Sequence, residues 1–70
     1  MQKLSNAKAG RYTIKWIFTE PELAGLLKEI CIEVGKEITV IGNSRLGSIL
    51  LRSEAGLFSV SSETVAGITV

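Results

Sequence analysis

The side chains able to do chemistry in this sequence are few and scattered. There is one cysteine, Cys31, and neither histidine nor aspartate occurs, so all seven acidic residues are glutamates. General acid–base catalysis most often relies on histidine, and a nucleophilic serine or cysteine needs a neighbouring base. A metal centre needs clustered Cys, His or carboxylate ligands. The densest carboxylate group is Glu20, Glu22, Glu29 and Glu33, which with Cys31 is the one candidate set for a divalent cation. Glu22 suits a helix cap and the others suit a solvated face. Cys31 has isoleucine on both sides and reads as a small buried hydrophobe rather than a reactive thiol. No phosphate-cradling Gly-x-x-x-x-Gly-Lys run is present. These residue types exclude most catalysis. We assign no catalytic residue, no metal ligand and no cofactor.

Binding is the remaining option, and one loop stands out for it. In the stretch IGNSRLGSILLR, residues 41–52, two apolar runs flank a polar tip from Gly42 to Ser48. Loops on small scaffolds concentrate binding residues. Arg45 offers a charge-assisted donor to a partner carboxylate, and Leu46 beside it an apolar anchor. Leu46 is better suited to packing over the end of the core, as loop leucines often are. Arg45, Leu46 and Gly47 are therefore the candidate partner-binding residues.

The totals bound what must hold this loop. Seventy residues with 46% hydrophobic content and a formal net charge of +1 predict one folded domain over residues 1–70 with a thin core. The basic residues are dispersed, so no patch faces nucleic acid or anionic lipid. A lone cysteine and an N-terminus without an apolar signal-peptide core fit a reducing compartment. No run reaches the roughly 20 apolar residues of a membrane span. The chain reads as cytoplasmic and complete from Met1.

Periodicity then supplies the elements. Tyr12, Ile14, Trp16 and Phe18 alternate with Arg11, Thr13 and Lys15, predicting a half-buried strand with its aromatics in the core. Ile17 falls on the other face. Thr19 and Glu22 have capping-box spacing around Pro21, and Leu23, Leu26, Leu27 and Ile30 make one helical stripe. Gly35 occupies the third position of a tight turn into a strand over 37–41. Further strands are predicted over 49–52 and 57–61, with Phe58 and Val60 on one face. Ser61 or Ser62 caps a short turn through Val65, and Ile68 and Val70 point inward from a last strand. About five strands with one helix inserted after the first predict a small, partly open barrel.

The order and spacing of these pieces resemble the FeoA family, ferrous-iron transport protein A. Leu4 and Gly10 sit where that family has its lead-in. The run from Leu26 to Ile38 is similar to its helix-to-strand signature, Leu-x-x-Leu-Gly-Leu-x-Pro-Gly-x-x-Ile/Val. Arg45-Leu46-Gly47 matches a common Pro-Leu-Gly, and residues 57–70 resemble the closing strand, helical turn and final strand. Cys31 replaces a glycine, Val34 a proline and Arg45 a proline. The first weakens a left-handed helix cap, because a Cβ is disfavoured there.

The resemblance implies a mainly β, SH3-like barrel and a non-enzymatic accessory role in bacterial ferrous-iron uptake. The implied partner is the cytosolic side of the FeoB permease. Two other readings stay open: a small barrel that binds nucleic acid through one face, and a direct Fe²⁺ carrier or sensor using carboxylates and Cys31. Inward aromatics and the balanced charge weigh against nucleic acid. Weak self-association through an open barrel edge is compatible with the first reading.

Overall fold

The alternation that begins at Tyr12 breaks after Ile14, and that break organises the molecule. In the computed structural model, which describes residues 2–43 and 47–70, strand β1 is Gly10–Thr13 and strand β2 is Trp16–Ile17. Between them Ile14 is pinned from both sides. Its N–H donates to the Lys36 carbonyl at 2.9 Å, and its own carbonyl accepts from the Gly35 N–H at 2.8 Å. Lys15 then donates to the Thr69 carbonyl at 2.8 Å, so the chain leaves one sheet and joins another. The expected single strand over 12–18 is therefore two strands. Among the described residues the count rises from five to six, in two sheets.

Facing changes with the break. Ile14 is buried and Ile17 packs on the core, whereas Trp16 and Phe18 are 62% and 79% exposed. The expectation that both aromatics lie in the core is thus corrected. Pairing with the C-terminal strand turns Ile17 inward, and the two aromatics then lie on the opposite side of a pleated strand.

Helix α1, Pro21–Glu29, follows. Proline holds the preceding residue extended, and Glu20 sits at φ −62°, ψ 146° as the N-cap, without a side-chain capping bond. The helix therefore starts one residue later than a cap at Thr19 requires, and the expected capping box does not form. Of the predicted stripe, Leu27 is buried and Leu23 and Ile30 pack on the core, but Leu26 is 60% exposed. The helix closes with the Ile32 N–H on the Leu27 carbonyl (2.9 Å) and the Cys31 N–H on the Lys28 carbonyl (3.0 Å). That is the bond pattern of a Schellman cap, with Leu27 and Ile32 as its buried apolar pair. Cys31 holds the left-handed position at φ 61°, the one non-glycine residue at positive φ among those described.

The turn expected at Gly35 is present. Lys36 N–H donates to the Glu33 carbonyl at 3.1 Å and Gly35 has φ 89°. Strands β3 (Glu37–Asn43), β4 (Ser48–Ser53) and β5 (Gly56–Ser61) succeed one another, and the larger sheet has the order β1-β3-β4-β5, all antiparallel. Gly42 and Asn43 thus belong to β3, and Ser48 to β4, rather than to the loop tip. A register shift between Val40 and Gly42 leaves Ile41 as a bulge residue, 42% exposed.

Ser61 caps the turn that follows. Its Oγ accepts from the Thr64 N–H at 3.1 Å. Strand β6, Ile68–Thr69, pairs with β2, and Lys3 bridges to Thr69 on the other side of β6. The core sits inside this wrap. Leu4, Ala7, Ile14, Leu27, Ile32, Ile38, Val40, Ile49, Leu51, Val65, Ile68 and Val70 are all buried in one cluster. A fully buried aliphatic side chain contributes about 1.5–3 kcal/mol relative to exposure, and helix, lead-in and tail all supply some.

Candidate partner-binding surface

Of the three loop residues expected to meet a partner, Arg45 and Leu46 lie outside the described residues. Gly47 is described and has a structural task. At φ +83° it turns the chain into β4, and its carbonyl accepts from the Ser62 N–H at 2.7 Å. Two depressions flank the root of the loop. A groove of about 340 Å³ is lined by Ile41, Gly42, Asn43, Ser48, Leu50 and Ser59. A smaller one of about 250 Å³ is lined by Ser5, Asn43, Gly47, Ser48, Ile49 and Ser62.

Asn43 and Ser48 border both depressions. Asn43 Nδ2 donates to the Ala7 carbonyl at 3.3 Å, tying the end of β3 to the N-terminal lead-in. Among the described residues no charged side chain lines either depression. They can offer apolar contact, hydroxyl and amide hydrogen bonds, and small residues that admit a neighbour. Among the described residues they hold no group suited to proton transfer.

Sequence reasoning missed the second surface. Trp16 and Phe18 project from the same side of β2, opposite Thr69 and Gly67 of the C-terminal strand region. Gly67 admits no side chain there, because a Cβ would collide with the backbone carbonyl of Phe18. One signal was available: Ile14 and Ile17, three apart, cannot both face inward on an unbroken strand. Leu26, Val34 and Leu57 add exposed apolar area, at 60%, 59% and 54%.

Charge does little to focus a partner. Arg11 Nε lies 3.7 Å from Glu37 Oε1, and Lys36 Nζ lies 3.4 Å from Glu54 Oε2, all on well-exposed side chains. Such pairs contribute little to stability. The glutamates around helix α1 do not converge. Glu20 and Glu22 stand at its start, Glu29 at its end and Glu33 in the turn before β3, and among the described residues no three Cys, Asp or Glu side chains approach closely enough to share a metal ion. Cys31, half-buried, serves the helix cap. Among the described residues no helix is long and apolar enough to cross a membrane.

No protein-family model matches the sequence, and no curated protein matches it. Solved structures do. A crystal structure of an iron uptake regulatory protein (FeoA) superimposes with a TM-score of 0.85 at 16% identity, over 96% of this chain and 91% of the other. The solution structure of FeoA from Chlorobium tepidum gives 0.84 at 27% identity, over 97% and 67%. A FeoA-like protein from Clostridium acetobutylicum gives 0.79 at 20%, over 97% and 85%. From lead-in to last strand, the chain has the fold of the FeoA proteins, a small SH3-like barrel with one inserted helix.

Proposed function

We propose that the protein is a non-enzymatic accessory factor of ferrous-iron uptake that works in the cytoplasm by binding the cytosolic region of a FeoB-type permease. The likeness to Chlorobium tepidum FeoA, at 27% identity over 97% of this chain and 67% of that one, carries this reading. The surface chemistry supports it. Solvent-facing Trp16, Phe18 and Leu26, with the groove at Ile41 and Leu50, provide apolar contact area of the kind that anchors protein partners. A nucleic-acid interface is less well served, since the net charge is +1 and the basic residues are dispersed.

A chemical-shift titration of the isotope-labelled chain tests the proposal. The permease's cytosolic domain is added with GDP, then with a non-hydrolysable GTP analogue, and Fe²⁺ is added in a separate experiment. Perturbations grouped around Trp16 and Phe18 or around the loop at 44–47, with no saturable response to Fe²⁺, are the expected result. A stoichiometric Fe²⁺ response with a silent permease titration would overturn it in favour of a metal carrier.

A further inference from the structure

Strand β5 forms one edge of the four-stranded sheet, and it lacks the devices that normally keep an edge from pairing. Soluble proteins blunt edges with charge, proline, bulges or short length. β5 runs for six residues, GLFSVS, with no charge and no proline, and it pairs with β4 in unbroken register. The opposite edge is different. β1 has four residues and carries Arg11, ion-paired to Glu37.

The unused hydrogen-bonding groups can be assigned. The Ser62 N–H bonds to the Gly47 carbonyl at 2.7 Å, continuing the ladder in which Ser48 faces Ser61. Hydrogen-bonded pairs alternate along an antiparallel ladder. The even-numbered residues Gly56, Phe58, Val60 and Ser62 therefore turn their backbone groups toward β4. Those of Leu57 and Ser59 and the N–H of Ser61 point to the open side, the Ser61 carbonyl already accepting from the Thr64 N–H at 3.1 Å. Among the described residues no strand lies there.

We propose that this edge is a homodimerisation site at which β5 pairs antiparallel with β5 of a second copy, the two-fold axis passing through Ser59. A symmetric pairing must match outward-facing residues with one another. Centring on Ser59 does so over the longest overlap, placing Ser59 opposite Ser59, Leu57 opposite Ser61 and Phe58 opposite Val60. Phe58 and Val60 are half-buried on the core side, so each covers the other's exposed remainder. On the outer face the fit is also self-complementary. Row by row, Leu50 faces Ser59 and Ser48 faces Ser61. The second copy's Leu57, 54% exposed in the free chain, thus falls at the Ser48–Ser59 end of the groove, where small side chains leave room. Neither β5 brings a charge to repel its copy. An isologous contact of this kind closes on itself, giving a dimer and not a fibre. One strand pair is a small interface, so the dimer is weak and concentration-dependent.

Sedimentation velocity across a concentration series, from the micromolar to the millimolar range, tests the site. The wild-type chain is expected to shift from monomer to dimer. Ser59→Lys sets two cations across the axis and is expected to abolish the shift while the far-UV spectrum and Tm stay unchanged. A double variant, Ser59→Cys with Cys31→Ser, is expected to crosslink rapidly on oxidation, whereas Thr13→Cys with Cys31→Ser, on the opposite edge, is not. A chain that remains monomeric throughout, or a dimer indifferent to Ser59→Lys, overturns the proposal. Amide protection of Leu57 and Ser59 that appears only when a different protein is added, in a chain monomeric by itself, overturns it in favour of strand addition by that protein.

Discussion

Gly67 and Phe18 meet backbone to backbone. The Phe18 N–H donates to the Gly67 carbonyl at 2.8 Å, and a Cβ on Gly67 would stand inside the Phe18 carbonyl. The contact closes the β2–β6 sheet and holds Phe18 with its ring in solvent. Gly67→Ala therefore has to push the two segments apart, since the obstruction is backbone and not a movable side-chain tip. The expected loss is about 4 kcal/mol or more, a large share of what a small domain has. Urea denaturation measures it. Gly42→Ala, where a Cβ meets nothing within 4 Å, is the control and should change stability little.

Cys31 sits where a glycine is at ease. Its φ of 61° lies in the left-handed region, which costs an L-residue roughly 1–2 kcal/mol. Part of that cost would return as greater unfolded-chain entropy on substitution by glycine. Cys31→Gly is expected to stabilise by up to about 1 kcal/mol. Cys31→Val, β-branched and poorly suited to positive φ, should destabilise by more than that. Thermal unfolding should rank the three Gly above Cys above Val. An unchanged Tm for the valine variant would show that the cap does not depend on this conformation.

These two positions also show what the sequence could and could not disclose. The Gly35 turn, the β4–β5 hairpin and the inward Ile68 and Val70 follow from local chemistry, which the residues themselves declare. The path of residues 12–18 does not. Its alternation satisfies a straight strand, and only the distant partners Lys36 and Thr69, which bond Ile14 and Lys15, force the chain to change sheets. Pattern reasoning sees neither partner. The displaced N-cap has a local cause that was readable, because Pro21 restricts Glu20 before any capping can begin at Thr19. Leu26 was misplaced because a narrow contact buries less than the full stripe of a short helix. In the binding surface, the loop at Arg45 and Leu46 attracts attention through composition, whereas Trp16 and Phe18 become visible only once the strand break is known.

Gly25 lies within helix α1, exposed, with open space where a Cβ would go and no positive φ. Nothing in its surroundings requires glycine. Gly25→Ala is expected to stabilise by about 0.5–1 kcal/mol, through lower unfolded-state entropy and better helix propensity. A fall in urea midpoint would mean that this face of the helix is closer to its surroundings than it appears in the free chain. The same variant should leave self-association through β5 untouched.

Ile14 and Trp16 are two apart, yet they should respond oppositely to truncation. Ile14 is 1% exposed, between two sheets, while Trp16 is 62% exposed. Ile14→Ala creates a cavity and is expected to cost about 2–5 kcal/mol. Trp16→Ala removes a side chain already largely in water and should cost about 1 kcal/mol or less. Its intrinsic fluorescence should accordingly be red-shifted and readily quenched by a soluble quencher in the native state. Phe18→Ser should behave as Trp16→Ala does. If the aromatic pair contributes to the proposed permease contact, both surface variants lose affinity at near-native stability, whereas Ile14→Ala loses it only in proportion to unfolding. Equal destabilisation by Ile14→Ala and Trp16→Ala would restore the unbroken strand and return the aromatic face to the core.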